Sequence, residues 1–596
     1  MDGDGGYPLS VRKLIPLNAI IVILAVLLIV GCGGGDEDSS SASTPSSRAD
    51  TQASVSPRPF DLVDLGHSTG LKGRLRSGTP EQKYIVEVKS TGVGLLDFDG
   101  DGLLDVVLTA GSTIERARRG EPGYGTRLFR NLGGLRFEDV TEQAGIPPTA
   151  WASAPVAADY DGDGKTDLLI TQFGKNILLH NEGGRFTDVT MTAGFTAEDW
   201  STSAVFHDLD GDGDLDLYVC NYLDFPLDDP PRQGKPGFQN CLWKGMEVMC
   251  GPKGLPPVKD RCFENLGGGR FKEVTRAWGL DAGAAYGLGA VAGDFDGDGA
   301  PELYVANDGM PNFLFDQNSE GRFEDVAYFL GVSCSEGGAP QAGMGVDAAD
   351  LNGDGIQDLV CTNFSGEENN LYLSQEGQAV YVESSSFAGT ALAARDLLGW
   401  GVGLRDFDLD GHIDLFVANG HVYPQAARPG TGTDYPQWNL YFAGEGGGRF
   451  RRLTGDDLSA LGVKKVSRGA AFGDLDNDGD VDIVVANLND VVSLIENRLD
   501  RVALGRHFVG VALVGSKQAR DAVGARVTVA TATSRQMLEV RRQASFQASN
   551  DPRLVFGLGE TAAVTACTVT WPDGRRERFP VRIDAYNVLK YGEGAK

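Results

Sequence analysis

Basic side chains are in short supply: 53 Lys and Arg stand against 83 Asp and Glu, a formal charge of −30 over 596 residues. A surface with that balance repels phosphate backbones and anionic headgroups, which argues against a nucleic-acid partner and favours cations. Histidine is scarcer still, with six in the whole chain, His67, His180, His207, His412, His421 and His507, scattered rather than grouped. HExxH, P-loop and CxxCH sequences are all missing, so the chain carries no signature of a zinc protease, a nucleotide hydrolase or covalent haem. No catalytic residue is assigned on this basis. Helix-like stretches are few, whereas glycine is abundant at 82, a balance that predicts an all-β chain of short strands and turns.

Long apolar runs are lacking after the first thirty residues. Arg12 and Lys13 precede an apolar stretch from Leu14 to Val30, interrupted by Pro16 and Asn18 and short for a membrane span, and Gly31-Cys32 follows it. These are the charged, hydrophobic and small-residue regions of an export signal. Ile29-Val30-Gly31-Cys32 resembles a bacterial lipobox, which implies a signal peptide over 1–32, acylation of Cys32 and attachment to a membrane through that lipid. Residues 33–58 are rich in Gly, Ser, Thr and Pro and read as a flexible tether. The expected location is an exported, membrane-anchored lipoprotein, periplasmic or at the cell surface. Export permits disulfides among the seven remaining cysteines. Cys241 with Cys250, in one short loop, is the first expected pair, Cys334 with Cys361 the second, and Cys567 the expected leftover.

One nine-residue pattern, D-x-D-x-D-G-x-x-D, occurs seven times, starting at Asp97, Asp159, Asp208, Asp294, Asp350, Asp406 and Asp474, with intervals of 62, 49, 86, 56, 56 and 68 residues. Each interval accommodates a four-stranded sheet with its turns. A β-branched run such as DLLITQF or DIVVANL follows each copy and reads as a buried strand. A second motif, FEDVTEQAGI from Phe137 and its relatives from Phe186, Phe271 and Phe323, with weaker forms near Tyr381 and Phe450, closes each unit except the seventh. The missing piece, FDLVDLGHSTGL, begins at Phe60. The reading is a seven-bladed β-propeller over 59–500, its last blade closed by the N-terminal strand, followed by a small β domain over 505–590.

The loops have the chemistry of calcium ligands. Ca²⁺ takes six to eight oxygens, and alternate carboxylates on a tight turn deliver them where helical spacing does not. Positions 1, 3, 5 and 9 supply Asp97, Asp99, Asp101 and Asp105; Asp159, Asp161, Asp163 and Asp167; Asp208, Asp210, Asp212 and Asp216; Asp294, Asp296, Asp298 and Glu302; Asp350, Asn352, Asp354 and Asp358; Asp406, Asp408, Asp410 and Asp414; Asp474, Asp476, Asp478 and Asp482. Position 6 is Gly throughout, and position 7 is indifferent to side chain, as a backbone-carbonyl ligand would be. Up to seven Ca²⁺ are expected.

These units resemble the FG-GAP and VCBS-type repeats of integrin-α-like propellers. The tail is similar to the ASPIC/UnbV domain through RDAVGARVTV from Arg520, DPRLVFGLG from Asp551 and VTWPDGRRERF from Val569. Together they resemble the bacterial cartilage-acidic-protein-like family, over roughly residues 60 to 590. The resemblance implies calcium binding and extracellular recognition or adhesion, with a protein or glycan as ligand and no enzymatic role. The alternative is a calcium-dependent polysaccharide lyase or hydrolase on the same scaffold. The long insertion between Asn221 and Arg261, with Phe238, Trp243, Met246 and Met249, is expected either to present apolar side chains to a partner or to fold back over one end of the ring.

Overall fold

Seven antiparallel sheets of one design follow each other along the chain. In each, an innermost strand runs into an Asp loop and the second strand begins at loop position 9, as Trp151–Ala158 does into Asp167–Phe173. Both are buried almost throughout, the first because Ala and Ser let neighbouring inner strands approach, the second because it is a run of Leu and Ile. The computed structural model describes residues 59–595 apart from 376, 377, 518 and 519; Cys32 and the signal and tether segments lie outside the described residues.

Fourth strands such as Phe137–Asp139 and Phe186–Asp188 are short, with one buried Phe followed by two exposed polar residues. For the seventh sheet that place is taken by Phe60–Asp64, antiparallel to Ser493–Leu499 with Phe60 opposite Leu499 and Asp64 opposite Ile495. Leu62 is fully buried there, beside Ile483, Val485 and Ile495. Inner strands touch in cyclic order, and Val93–Leu96 meets both Trp151–Ala158 and Ser467–Gly473. The fold is therefore all-β and propeller-like.

The tail makes two facing sheets. Leu554–Gly559, His507–Val514 and Tyr586–Lys590 form one; Arg535–Glu539, Arg526–Ala530, Ala566–Thr570 and Arg576–Phe579 form the other. Val509, Val527, Phe556, Val569 and Trp571 fill the space between them. This tail is not a separate body, because Arg58–Lys596 form one compact unit. The segment between Arg535–Glu539 and Leu554–Gly559, its third and fourth strands in chain order, enters the middle of the ring. Ala548–Ser549 pairs in parallel with Val93 and Gly94, the Ser545 amide donates to the Val346 carbonyl, and Phe546 is fully buried with its ring 4.7 Å from Trp400.

Candidate metal centres

Each Asp loop is built by its backbone before any ion is considered. Position 6 has a left-handed φ in all seven loops, from 84° at Gly102 to 101° at Gly479, where a side chain would be strained. Position 4 is left-handed too: Gly100, Gly162, Gly211, Gly297 and Gly353, then Leu409 at 55° and Asn477 at 62°. The sequence reading treated position 4 as free and missed this second reversal.

These reversals wrap amides around carboxylates. Asp97 Oδ1 accepts from the Gly100 and Asp101 amides at 2.8 and 3.1 Å, and Oδ2 from Gly102 at 2.9 Å. In every loop the position 5 carboxylate accepts from the amide at position 7, which fixes that residue's backbone whatever its side chain. Position 9 carboxylates bridge outward. Asp105 accepts from Phe98 N at 3.0 Å and from Asn131 N at 2.7 Å on the third strand. What remains are carboxylate oxygens turned toward each other: those of Asp97, Asp99 and Asp105 lie within 4.8 Å, as do those of Asp159, Asp161 and Asp167, of Asp208, Asp210 and Asp216, and of Asp294, Asp296 and Glu302.

Several of these oxygens are buried with no hydrogen-bond donor: Asp99 Oδ1, Asp159 Oδ1, Asp167 Oδ2 and Glu302 Oε1. Burial pushes the acids upward, Asp105 and Asp216 to about 8, Asp167 to about 9, Glu302 to about 10, and Asp414 and Asp482 well above the carboxylate range. Neighbouring carboxylates add to the effect in each case. Converging, desolvated, donor-starved oxygens fit a hard divalent cation, which replaces the missing donors and offsets the repulsion.

Two third-strand positions join the loops to their surroundings, and neither was singled out in the sequence. The first is an amide that ties adjacent sheets together. Asn181 Nδ2 donates to the Phe98 carbonyl of the preceding loop and to Thr166 of its own; Asn265 does so to Tyr160 and Leu215, Asn497 to Phe407 and Val481, and Asn131 to Leu475 and Leu104. The Asn131 bond links the first sheet to the seventh. The second position, one residue earlier, faces the loop carboxylates. Arg130 lies there in the first sheet, 2.7 Å from Asp99 and 3.2 Å from Asp101. His180 in the second lies with Nδ1 3.1 Å from Asp161 and 3.2 Å from Asp167. Glu264 and Glu496 hold this place in the third and seventh sheets, where they push Asp210 and Asp476 further upward after burial and loop neighbours have acted.

A family model for the FG-GAP-like repeat matches six stretches, 97–170, 159–219, 248–305, 294–361, 350–417 and 406–485, more than half of the chain. The chain belongs to the FG-GAP-like repeat family. A model for ASPIC and UnbV matches residues 515–596 behind those repeats. Cartilage acidic protein 1 is 26% identical over 315 residues in Mus musculus, 51% of this chain and 44% of the relative, and 26% identical over 301 residues in Homo sapiens, 48% and 41%. The match thus spans less than half the length of these curated relatives. Among solved structures, an Agrocybe aegerita lectin that recognises non-reducing terminal N-acetylglucosamine aligns at 16% identity and a TM-score of 0.36, covering 67% of this chain and 91% of the lectin. A Bacillus licheniformis rhamnogalacturonan lyase aligns at 12% and 0.34, covering 74% and 75%.

The ASPIC/UnbV tail grips the FG-GAP loops directly. Arg526 pairs with Asp294, Asp521 accepts from the Asp159 amide at 2.9 Å, and Tyr586 donates to Asp474 Oδ2 at 2.8 Å. Arg553 donates to the Asp474 carbonyl at 2.7 Å while its guanidinium also pairs with Asp551. A Cβ on Gly557 would stand 2.0 Å from Asp406 Oδ2, so glycine is required for this contact. Asp521, Arg526, Arg553 and Gly557, the four of these residues that touch a loop from the RDAVGARVTV and DPRLVFGLG segments, lie where the family resemblance of the tail is carried.

The opposite end of the FG-GAP ring is covered by the long insertion. Phe225, Phe238, Cys250 and Leu255 are buried with Trp151, Trp200, Leu288 and Trp400, residues at the starts of the inner strands. Trp243 packs on His421 and Tyr423, and His421 is fully buried and held down at about 3 by desolvation. The insertion folds back over the ring rather than presenting Phe238. Cys241 and Cys250 form the expected disulfide, with Cα atoms 5.2 Å apart. Cys334 and Cys361 do not pair, and both are free, as are Cys220, Cys262 and Cys567. Cys361 is buried in its strand with Sγ toward the Thr362 carbonyl, whereas Cys334 sits in a loop with Sγ toward Ser333; Tyr372 reaches the Cys334 carbonyl instead.

Proposed function

We propose that the chain is an exported, lipid-anchored protein whose body is a seven-bladed β-propeller that binds Ca²⁺ in its Asp loops and serves extracellular recognition or adhesion, not catalysis. The observation that carries the calcium reading is the set of converging, buried carboxylate oxygens without donors. Seven four-stranded units in cyclic contact, the last completed by Phe60–Asp64, support seven blades. The apolar segment ending at Cys32 supports export and acylation. No helix among the described residues is long and apolar enough to cross a membrane.

Both ends of the ring are covered, one by the tail and the other by the long insertion, so recognition falls to the rim. Tyr328 and Phe329 are each 81% exposed on the one-turn helix Ala327–Leu330, which packs on the edge strand Gln378–Glu383. Val380 and Val382 face out from that edge, with Phe387 and Leu392 on the one-turn helices that follow. Exposed apolar side chains along an unpaired edge suit a protein partner, and a glycan that stacks on Tyr328 fits the same surface.

Calorimetric titration of Ca²⁺ into the chelator-stripped full chain, followed by thermal melts with and without the ion, tests the reading. Several bound ions, up to seven, and a large rise in melting temperature are expected. No bound calcium and an unchanged melt would overturn it.

A further inference from the structure

The seven loops are not chemically alike, and the second departs from the rest in three ways. His180 alone brings an imidazole nitrogen to the loop-facing place on the third strand, where the other sheets carry Arg130, Glu264, Asp316, Leu373, Ala443 and Glu496. Its Nδ1 lies 3.1 Å from Asp161 Oδ2 and 3.2 Å from Asp167 Oδ1, yet makes no hydrogen bond to either. Donors this close but not aligned with one another stand as neighbouring ligands of one small ion do. Asp161, Asp163 and His180 offer ligand atoms within 4.8 Å of one another.

The second departure concerns Asp167. In the other six loops the position 9 carboxylate accepts from the amide at position 2. Asp167 Oδ2 has no such donor, although Asp167 is 1% exposed, and Asp159, 2% exposed, leaves Oδ1 equally without one. The third is Lys165, at position 7, whose ammonium pairs with Asp163 while the other Asp163 oxygen accepts from the Lys165 amide. With Asp163 so engaged, the loop presents three carboxylates and one imidazole.

We propose that the second loop, through Asp159, Asp161, Asp167 and His180, is a mixed oxygen and nitrogen site for a first-row transition-metal dication, Zn²⁺, rather than for Ca²⁺. Calcium is a hard ion that fills six to eight positions with oxygen, and an imidazole in place of a carboxylate weakens it. Zinc favours four ligands and takes imidazole readily. The inference shares with the calcium reading only the premise that these loops hold cations.

The test titrates Co²⁺, a spectroscopic stand-in for Zn²⁺, into the chelator-stripped full chain with Ca²⁺ held in millimolar excess. The expected result is one Co²⁺ per chain, visible as d–d absorption and displaced by one equivalent of Zn²⁺. His180→Gln, checked for folding by its thermal melt, loses this ion by about tenfold or more in affinity, the least that removing even an outer-shell partner costs. His180→Asp adds one calcium to the chain's count and abolishes the cobalt spectrum. Absence of Co²⁺ binding in the presence of calcium, or identical binding by His180→Gln, would overturn the proposal. A chain that binds Co²⁺ at His180 but no calcium anywhere would uphold this site and sink the calcium reading.

Discussion

Asn181 carries an unusual share of the ring for one amide, since its side chain is fully buried and donates to carbonyls of two adjacent sheets. Asn181→Ala leaves both carbonyls without that donor, at about 1–2 kcal/mol each. The expected loss is about 2–4 kcal/mol, read by chemical denaturation with calcium present. The acids supply a second prediction at this scale. A carboxyl whose pKa rises on folding stabilises the fold while protonated; that contribution is present below about 4 and is lost as pH climbs through the folded values. Those run from about 6 at Asp208 to about 10 at Glu302. Chelated protein should therefore melt at lower temperature at pH 8 than at pH 5, whereas calcium, which takes the proton's place, should flatten or invert the trend. A chelated protein that gains stability toward pH 8 would contradict the burial of these acids. The ligand positions and the position 6 glycines were legible from sequence because they repeat within nine residues. Asn181 and His180 were not, because Asn181 reaches a carbonyl of the preceding sheet and because the spacing from loop to third strand varies from one unit to the next.

Among elements, the segment threading the ring shows where sequence reading stopped. The strands of the tail alternate clearly enough to be placed, and the likeness of FDLVDLGHSTGL to the other fourth strands was enough to put Phe60–Asp64 beside Ser493–Leu499. Nothing in RRQASFQASN has strand or helix periodicity, because its side chains are dictated by the ring around it. Ser549 Oγ accepts from the Ala157 amide, Asn550 Oδ1 from Phe472 and Ser545 Oγ from Val402, three different sheets. Phe546→Ala should cost about 3–5 kcal/mol, the range for emptying a buried aromatic site. Its calcium count should stay that of the parent chain, because Phe546 packs against Trp400, far along the inner strand from the loops. A drop in bound calcium would mean that the plug also shapes the loops.

At the scale of the whole molecule, the charge of −30 is gathered in part at the loops, and seven divalent cations would bring it to −16, since each adds +2. Mutual repulsion among exposed loop acids is screened as the Debye length falls from about 10 Å at 0.1 M salt to about 3 Å at 1 M. Raising sodium chloride across that range should lift the melting temperature of chelated protein and leave the calcium-loaded protein almost unchanged. Equal responses of the two forms would show that loop repulsion is not what limits the metal-free fold.

The pairing of Phe60–Asp64 with residues more than four hundred positions later has a consequence in time. Phe60–Asp64, the first strand among the described residues, has no partner until the seventh sheet exists, and the axis has no filling until Phe546 arrives. Contacts this distant in sequence close slowly. A chain stopped short of residue 493 would hold complete middle sheets between two raw edges, and one stopped short of residue 546 would still lack the ring that packs on Trp400.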